Sequence, residues 1–311
     1  MAEDTARPAA RRPMRKPQPC PAALVDPSRG GGKPFTFSFS SGHHVRVRAT
    51  MEWIETFLSR TLYRPFMHFR PPRVDYVTAP LPCLPPQLDG VTIAHISDIH
   101  HSLLVSQTVI ERVVALTNSL QPDVIVLTGD YVTNDAGYAT GCARALSQLH
   151  APLGVFAVLG NHDYWTDPEL IAAELRGQGI TVLINEAREL KPDLWLVGMD
   201  DIWSGQPDQA AAFEDVPPGA ATILLANEPD FADQMQGRPC TLQLSGHSHG
   251  GQVRLPFTNR PVLPLLAWKY YAGLQRVGDV LVYTSRGVGT MQPPFIFTCK
   301  PEVALLRLCA G

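Results

Sequence analysis

Short apolar segments alternate with helical periodicities over the C-terminal two thirds of the chain. Residues 91–97, 123–128 and 154–159 are runs of mainly apolar residues, which are typical of strands buried on both faces. Between the first two runs, apolar residues recur at helical spacing over residues 106–119. This alternation predicts an α/β fold in which helices cover the sheets. Further strands are predicted at residues 194–197, 222–225, 241–244, 279–283 and 303–308, a number that suits two sheets better than one.

The N-terminal part of the chain shows a different pattern. Residues 1–48 are rich in Pro, Arg and Gly and lack an apolar period, which predicts a disordered extension. Residues 49–87 are expected to form an amphipathic helix, between Met51 and Tyr63, and a Pro-rich connector. That helix has two open interpretations, since it could pack on the domain or lie on a membrane or a partner. We expect the compact domain to occupy residues 88–311.

Charge is distributed unevenly along the chain. Residues 1–50 hold nine of the 26 basic residues but only three of the 29 acidic ones. The remaining acidic body suits cation binding and argues against a specific nucleic-acid partner. The basic N-terminal region is predicted to be solvated and disordered, and contact with an anionic membrane or with nucleic acid is the alternative.

Targeting signals and cysteine pairs are not evident in the sequence. No apolar run approaches the roughly 18 residues of a membrane span, and the N-terminus lacks the apolar region of a secretory signal. The six cysteines contain no C-x-x-C pair and are expected to be isolated thiols. A cytoplasmic location is the corresponding expectation.

Polar residues that are able to bind metals follow several predicted strands. In α/β sheets, ligands bind in the crevice beyond the carboxyl ends of the strands, where residues distant in sequence can converge. Two pairs are spaced two residues apart, so an extended backbone would aim both side chains of each pair the same way. Carboxylate, imidazole and amide donors suit Mn, Fe or Zn. The residues are Asp98, His100, Asp130, Asn161, His162, Asp163, His247 and His249.

The motifs Asp-x-His, Gly-Asp, Gly-Asn-His-Asp and Gly-His-x-His, in this order, resemble the calcineurin-like metallophosphoesterase family over residues 88–308. Residues 88–90, 246–252, 285–289 and 301–303 are similar to one branch, the bacterial membrane-associated phosphodiesterases YkuE and YaeI. The resemblance implies a four-layer α/β/β/α sandwich of two mixed sheets, with a metal site at the strand C-terminal ends. It also implies a hydrolase, most directly a phosphodiesterase, that acts on small or lipid-linked phosphoesters.

The resemblance further implies a binuclear centre of two divalent metal ions, with Mn expected and Fe or Zn as alternatives. It assigns Asp98, His100 and His249 to one ion, Asp130 to both, and Asn161, Asn227 and His247 to the second.

Asn227 departs from the family pattern, because the family has a histidine at this place in the segment 224–230. A neutral amide oxygen binds a transition ion more weakly than imidazole does, so the second metal site is expected to be weaker or differently selective. Asn227 could instead merely cap a turn before Pro229.

The implied chemistry uses a metal-bridging hydroxide that attacks phosphorus in line, while the ions neutralise charge on the phosphoryl oxygens. His162, next to the ligand Asn161, is predicted to protonate the leaving alkoxide as general acid. Asp163 is predicted either to orient His162 or to support the ligands. A purely structural hydrogen bond is the alternative for His162.

Other residues near the motifs have less specific predictions. Asp200 and Asp201 are expected to form a strand-end turn, with a contribution to the site as the alternative. Trp165 either borders the substrate entrance or packs at its rim. The aromatic segment 257–274 could bind the organic arm of a diester or be ordinary packing.

Two alternative functions remain open. The first is a scaffold that keeps the fold without catalysis, which Asn227 favours and the other ligands argue against. The second is a protein that binds a single redox-active metal ion, for which no residue argues positively.

Overall fold

The computed structural model describes residues 72–235, 237, 241–251, 261–290 and 300–310. The predicted extension over residues 1–48 and the predicted helix between Met51 and Tyr63 lie outside these ranges. Within the described ranges, no helix is both long enough and apolar enough to span a membrane.

The first of two mixed sheets, sheet I, carries most of the predicted site. In spatial order its strands are β1 (Arg73–Leu81), β12 (Glu302–Ala310), β2 (Thr92–Ile96), β3 (Val124–Thr128), β4 (Val155–Val158) and β5 (Thr181–Val182). Strands β2 to β5 are parallel, β12 is antiparallel to β2, and β1 is parallel to β12 at the edge.

Sheet II faces sheet I across the core. In spatial order its strands are β10 (Gly273–Val277), β11 (Val280–Thr284), β9 (Thr241–Ser245), β8 (Ala221–Leu225), β7 (Leu194–Gly198) and β6 (Glu186–Lys191). The four central strands are parallel, and β10 and β6 are antiparallel at the two edges.

Helices cover the outer faces of both sheets. The helices are α1 (Gln107–Ser119), α2 (Ala139–Leu146), α3 (Asn161–Thr166), α4 (Pro168–Gly177) and α5 (Gln209–Ala212). Helices α1, α2 and α4 pack on sheet I, whereas α5 and the 3₁₀ helix Pro229–Met235 pack on sheet II. The predicted α/β/β/α sandwich is therefore confirmed, with a thinner helical layer on sheet II.

Strand β3 shows how the apolar runs build two cores at once. Val124 and Val126 point into the core between the sheets, whereas Ile125 and Leu127 lie under the helices. Successive side chains of a strand point to opposite faces, so a strand covered on both faces needs apolar residues at every position.

The sheet begins earlier in the chain than Leu88, where the compact domain was expected to start. Residues Arg73–Leu81, expected to lie outside it, form β1 and pair with β12 from Arg73↔Glu302 to Leu81↔Ala310. The cysteines also differ from expectation. Cys142 is buried in the core, but Cys83 is disulfide-bonded.

Candidate metal centre

The predicted ligands lie on tight turns at the strand ends. Asp98, His100, Asp130, His247 and His249 all have positive φ, between 49° and 65°. The prediction that extended backbone aims the paired residues is therefore wrong. A left-handed residue reverses the chain abruptly, and Asp and His tolerate this conformation better than most residues do. The turns, and not the strand pleat, bring the side chains together.

Asp98, His100 and His249 form what we call the first corner of the site. The Nε2 atoms of His100 and His249 lie 3.0 Å apart, and His249 Nε2 is 3.4 Å from Asp98 Oδ1. All three residues are buried, and their ligand atoms lie within 4.8 Å of one another. One carboxylate and two imidazoles converging in this way fit a divalent ion.

Asp130 lies between the first corner and the start of α3. Its Oδ2 is 3.9 Å from His100 Nε2, and its Oδ1 accepts a hydrogen bond of 3.0 Å from the backbone N–H of His162. The His100 and His162 rings meet edge to face at 4.8 Å. Asp130 thus lies next to the first corner and next to the backbone that begins α3.

Asn161, Asn227 and His247 form the second corner. Asn227 Nδ2 donates to the Thr128 carbonyl at 2.7 Å, which leaves its Oδ1 buried without a partner among the described residues. Asn161 Oδ1 is buried and unpartnered in the same sense. His247 Nε2 lies 2.8 Å from the Leu265 carbonyl, which can only accept, so His247 Nδ1 is left with the lone pair.

Gly160 allows the second corner to close. A Cβ at this position would overlap Asp130 and would lie 2.7 Å from Asn227 Nδ2. Asn161 follows Gly160 directly, so the close approach of this backbone brings Asn161, Asn227 and Asp130 to the same place. Asn227 therefore lies at the site, and its side chain bonds across to sheet I instead of capping a local turn.

Asp163 and His162 have separate hydrogen-bond partners. The Asp163 carboxylate accepts hydrogen bonds from the backbone N–H groups of Asp130, Tyr131 and Gly160, each at 2.9 Å. Burial raises its pKa to about 7, although these N–H groups oppose the shift. His162 Nδ1 lies 2.7 Å from the Thr133 carbonyl, so the prediction that Asp163 orients His162 is corrected.

The electrostatics of the site favour a cation. Burial raises the pKa of Asp98 and that of Asp130, and neighbouring Asp98 raises the pKa of Asp130 further. Burial likewise lowers the pKa values of His100 and His249, which keeps the imidazoles in the neutral form that binds metals. Asp98 Oδ2 is also buried without a partner among the described residues. The donor set and its unpartnered atoms therefore fit divalent metal ions.

A buried ion-pair cluster supports the Asp98 turn. Glu302 accepts from the Arg286 backbone N–H at 3.1 Å and from Tyr283 Oη at 3.0 Å, and it also pairs with the Arg286 guanidinium. Gly289 N–H donates to the Asp98 carbonyl at 2.8 Å. Residues 285–289 were predicted to matter only by resemblance, because their partner Glu302 is an acid buried in a distant strand.

The loop after β7 brings a second tryptophan to the site. The ring centroids of Trp203 and His247 lie 5.6 Å apart, and those of Trp165 and His162 lie 4.9 Å apart. Trp165 was predicted to lie near the site, but Trp203 was not, although its position just after the strand-end pair Asp200 and Asp201 is a signal for it. Both carboxylates accept backbone N–H groups of this loop, so they build the predicted strand-end turn.

The aromatic segment predicted at residues 257–274 is described only from residue 261. Within that part, Lys269 and the Tyr270 hydroxyl pair with Asp233, and the Tyr271 carbonyl accepts from Ser248 Oγ. These contacts fasten the segment to the 3₁₀ helix and to the His247 turn.

Known proteins similar to this chain confirm the family predicted from the motifs. The family model described as calcineurin-like phosphoesterase matches residues 91–251. Phosphodiesterase YaeI of Escherichia coli is 37% identical over 223 residues, which covers 70% of this chain and 81% of the relative.

Two further relatives align over similar shares. Metallophosphoesterase YkuE of Bacillus subtilis is 32% identical over 232 residues, 72% of this chain and 81% of the relative. UDP-2,3-diacylglucosamine pyrophosphatase LpxG of Chlamydia trachomatis is 27% identical over 281 residues, 71% of this chain and 84% of the relative.

Proposed function

Since the chain belongs to the calcineurin-like phosphoesterase family, and is therefore a metal-dependent phosphoric ester hydrolase, we propose that it is a phosphodiesterase with a two-metal centre. The observation that carries this proposal is the convergence of the first and second corners on either side of Asp130. When bound, two divalent ions would activate water and neutralise charge on the phosphoryl oxygens.

The chain's own residues divide the remaining work. Asp98, His100 and His249 would hold one ion, Asn161, Asn227 and His247 would hold the other, and Asp130 would contribute to both sites. The backbone bonds to Asp163 fix the turns that carry Asp130 and Asn161, so the ligands are preorganised.

His162 is the proposed general acid. Its Nδ1 proton is committed to the Thr133 carbonyl, which fixes the ring and turns Nε2 towards the site where His100 lies. A protonated Nε2 would give its proton to the ester oxygen as the bond between phosphorus and that oxygen breaks. The same ring also lies close enough to His100 and Asp130 to be a metal ligand, so the two roles need an experiment.

We propose Mn²⁺ as the metal and small or lipid-linked phosphodiesters as the substrate class. The names of two relatives support the substrate class, since one is a phosphodiesterase and the other a pyrophosphatase of a diacylated sugar nucleotide.

The test measures metal content and hydrolysis of bis(p-nitrophenyl) phosphate by the same preparation. We expect bound divalent metal, turnover that chelation abolishes, and recovery on adding Mn²⁺. His162→Ala should keep its metal and lose about 10²- to 10⁴-fold in rate on a diester with an alkoxide leaving group, which is the range for a general acid, and it should lose less on bis(p-nitrophenyl) phosphate, whose leaving group needs no proton. If this variant instead loses metal, His162 is a ligand. A protein without metal and without turnover would support the scaffold alternative.

A further inference from the structure

We propose that Trp165 and Trp203 form an aromatic clamp that binds the apolar organic arm of the substrate and thereby sets its specificity. This inference rests on the proposed phosphodiesterase function and names the part of the substrate that the metal centre does not hold.

The two indole rings lie directly beside the metal centre. They meet edge to face with centroids 5.0 Å apart. Trp165 contacts the ring of His162, and Trp203 contacts the ring of His247, so the pair spans from the proposed general acid to the second corner. An ester arm leaving the phosphorus on this side would meet indole surface first.

Both rings keep apolar surface open to solvent. Trp165 is 44% exposed and Trp203 is 38% exposed, whereas most large apolar side chains of the described residues are buried. Leu265, whose carbonyl accepts from His247, is also exposed, at 42%. Contiguous exposed apolar surface next to a polar site is typical of a ligand-binding surface.

A buried carboxylate fixes the loop that carries Trp203. The buried Glu228 carboxylate accepts from the backbone N–H of Trp203 at 3.1 Å and from that of Ile202 at 3.2 Å. Glu228 directly follows Asn227, so the clamp and the second corner share one turn. A ring positioned by buried hydrogen bonds loses little conformational freedom on binding, which favours affinity.

Hydrogen bonds also connect the Trp165 ring to the loop that carries Trp203. Trp165 Nε1 donates to Ser204 Oγ at 2.9 Å, and Ser204 N–H donates to the buried Asp201 carboxylate at 2.6 Å. Both indoles are therefore fixed through one loop while their faces stay open. Since the indole N–H of Trp165 is already used, the clamp offers apolar and π surface to a ligand and few polar groups.

The clamp predicts that kcat/KM depends on the apolar character of an ester arm when the leaving group is kept constant. The test compares phenyl p-nitrophenyl phosphate with methyl p-nitrophenyl phosphate, because both release p-nitrophenol. We expect wild-type kcat/KM to be higher for the phenyl ester. The ratio of the two values should fall about tenfold in Trp203→Ala and in Trp165→Ala, a size typical of one lost apolar contact.

Controls separate this effect from misfolding and from a failed proposed function. Tyr76→Ala removes an exposed ring on β1 and should leave the ratio unchanged, and Trp203→Phe should keep most of it. Calorimetry with phenylphosphonate and methylphosphonate tests the clamp without turnover, and the phenyl compound should bind more tightly only when both indoles are present.

The outcomes distinguish the two proposals. If wild type hydrolyses no diester but prefers phenylphosphonate through the indoles, the proposed function fails and the clamp stands. If wild type hydrolyses both esters and the ratio is the same in the tryptophan variants, the clamp is wrong and the function stands.

Discussion

The two corners of the site offer different donors. The first corner has one carboxylate and two imidazoles, whereas the second has two neutral amides and one imidazole. Imidazole and carboxylate bind a divalent transition ion more strongly than an amide oxygen does. For the proposed two-metal centre, we therefore expect one ion to be held tightly and the second more weakly, so that occupancy of the second corner would limit activity at low metal concentration.

The largest expected effect comes from removing one imidazole from each corner in turn. His249→Ala should lose the tight ion and about 10³-fold or more in diesterase rate, since a metal ion supplies several kcal/mol to the transition state. His247→Ala should lose mainly the weak ion. Elemental analysis after dialysis, with rates over a Mn²⁺ titration, measures both effects. Equal loss of metal in the two variants would contradict the expected difference in metal affinity between the two corners.

A smaller effect is expected from the cluster behind the first corner. Glu302→Gln keeps the shape of the side chain but removes the charge that pairs with Arg286 and fixes the segment packed on the Asp98 turn. We expect metal affinity at the first corner to fall about 10- to 100-fold, as for other outer-shell partners.

The second corner serves as the internal control for Glu302→Gln. The metal affinity of that corner should change little in Glu302→Gln, because the segment bonds to the carbonyls of Ser97 and Asp98. A metal titration monitored by calorimetry separates the affinities of the two corners. An equal change in both affinities would contradict a local role of Glu302 at the first corner.

The smallest effect is a gain at the second corner. Asn227→His replaces an amide by an imidazole, so we expect metal content to rise towards two ions per chain and the rate at limiting Mn²⁺ to rise several-fold. Asn227→Ala, which loses both the amide oxygen and the bond to Thr128, is the matched control and should lower occupancy. Unchanged occupancy and rate in Asn227→His would show that this position does not set the strength of the second site.

Much of the fold could be predicted because buried parallel strands are apolar at every position and end in glycine-containing polar motifs. Strand β1 was missed because its partner β12 lies more than two hundred residues away, as in the pair Arg73↔Glu302. Its edge position also leaves Tyr76 71% exposed, so no buried run marks it. Strand β6 is similarly inconspicuous, because its sequence is largely charged.

The positions of the ligands could be predicted, but their backbone and supports could not. Spacing suggested extended pairs, whereas the turns are left-handed at Asp98 and His100, since tertiary hydrogen bonds override a local pattern. The adjacency of Asp163 and His162 suggested a pair. In the structure, Asp163 faces backbone N–H groups from another strand end, and only the fold shows which carbonyl reaches His162.

The left-handed turns also bear on how this protein would respond to engineering. At His249 a glycine would avoid a backbone cost of about 1 kcal/mol. At Asp98 and Asp130 the same change would leave the backbone N–H groups of His247 and His162 without their acceptors. Screens that select only for heat resistance of the metal-free protein should therefore enrich glycine at position 249. Such variants would melt later and catalyse nothing, so thermostability and activity must be selected together.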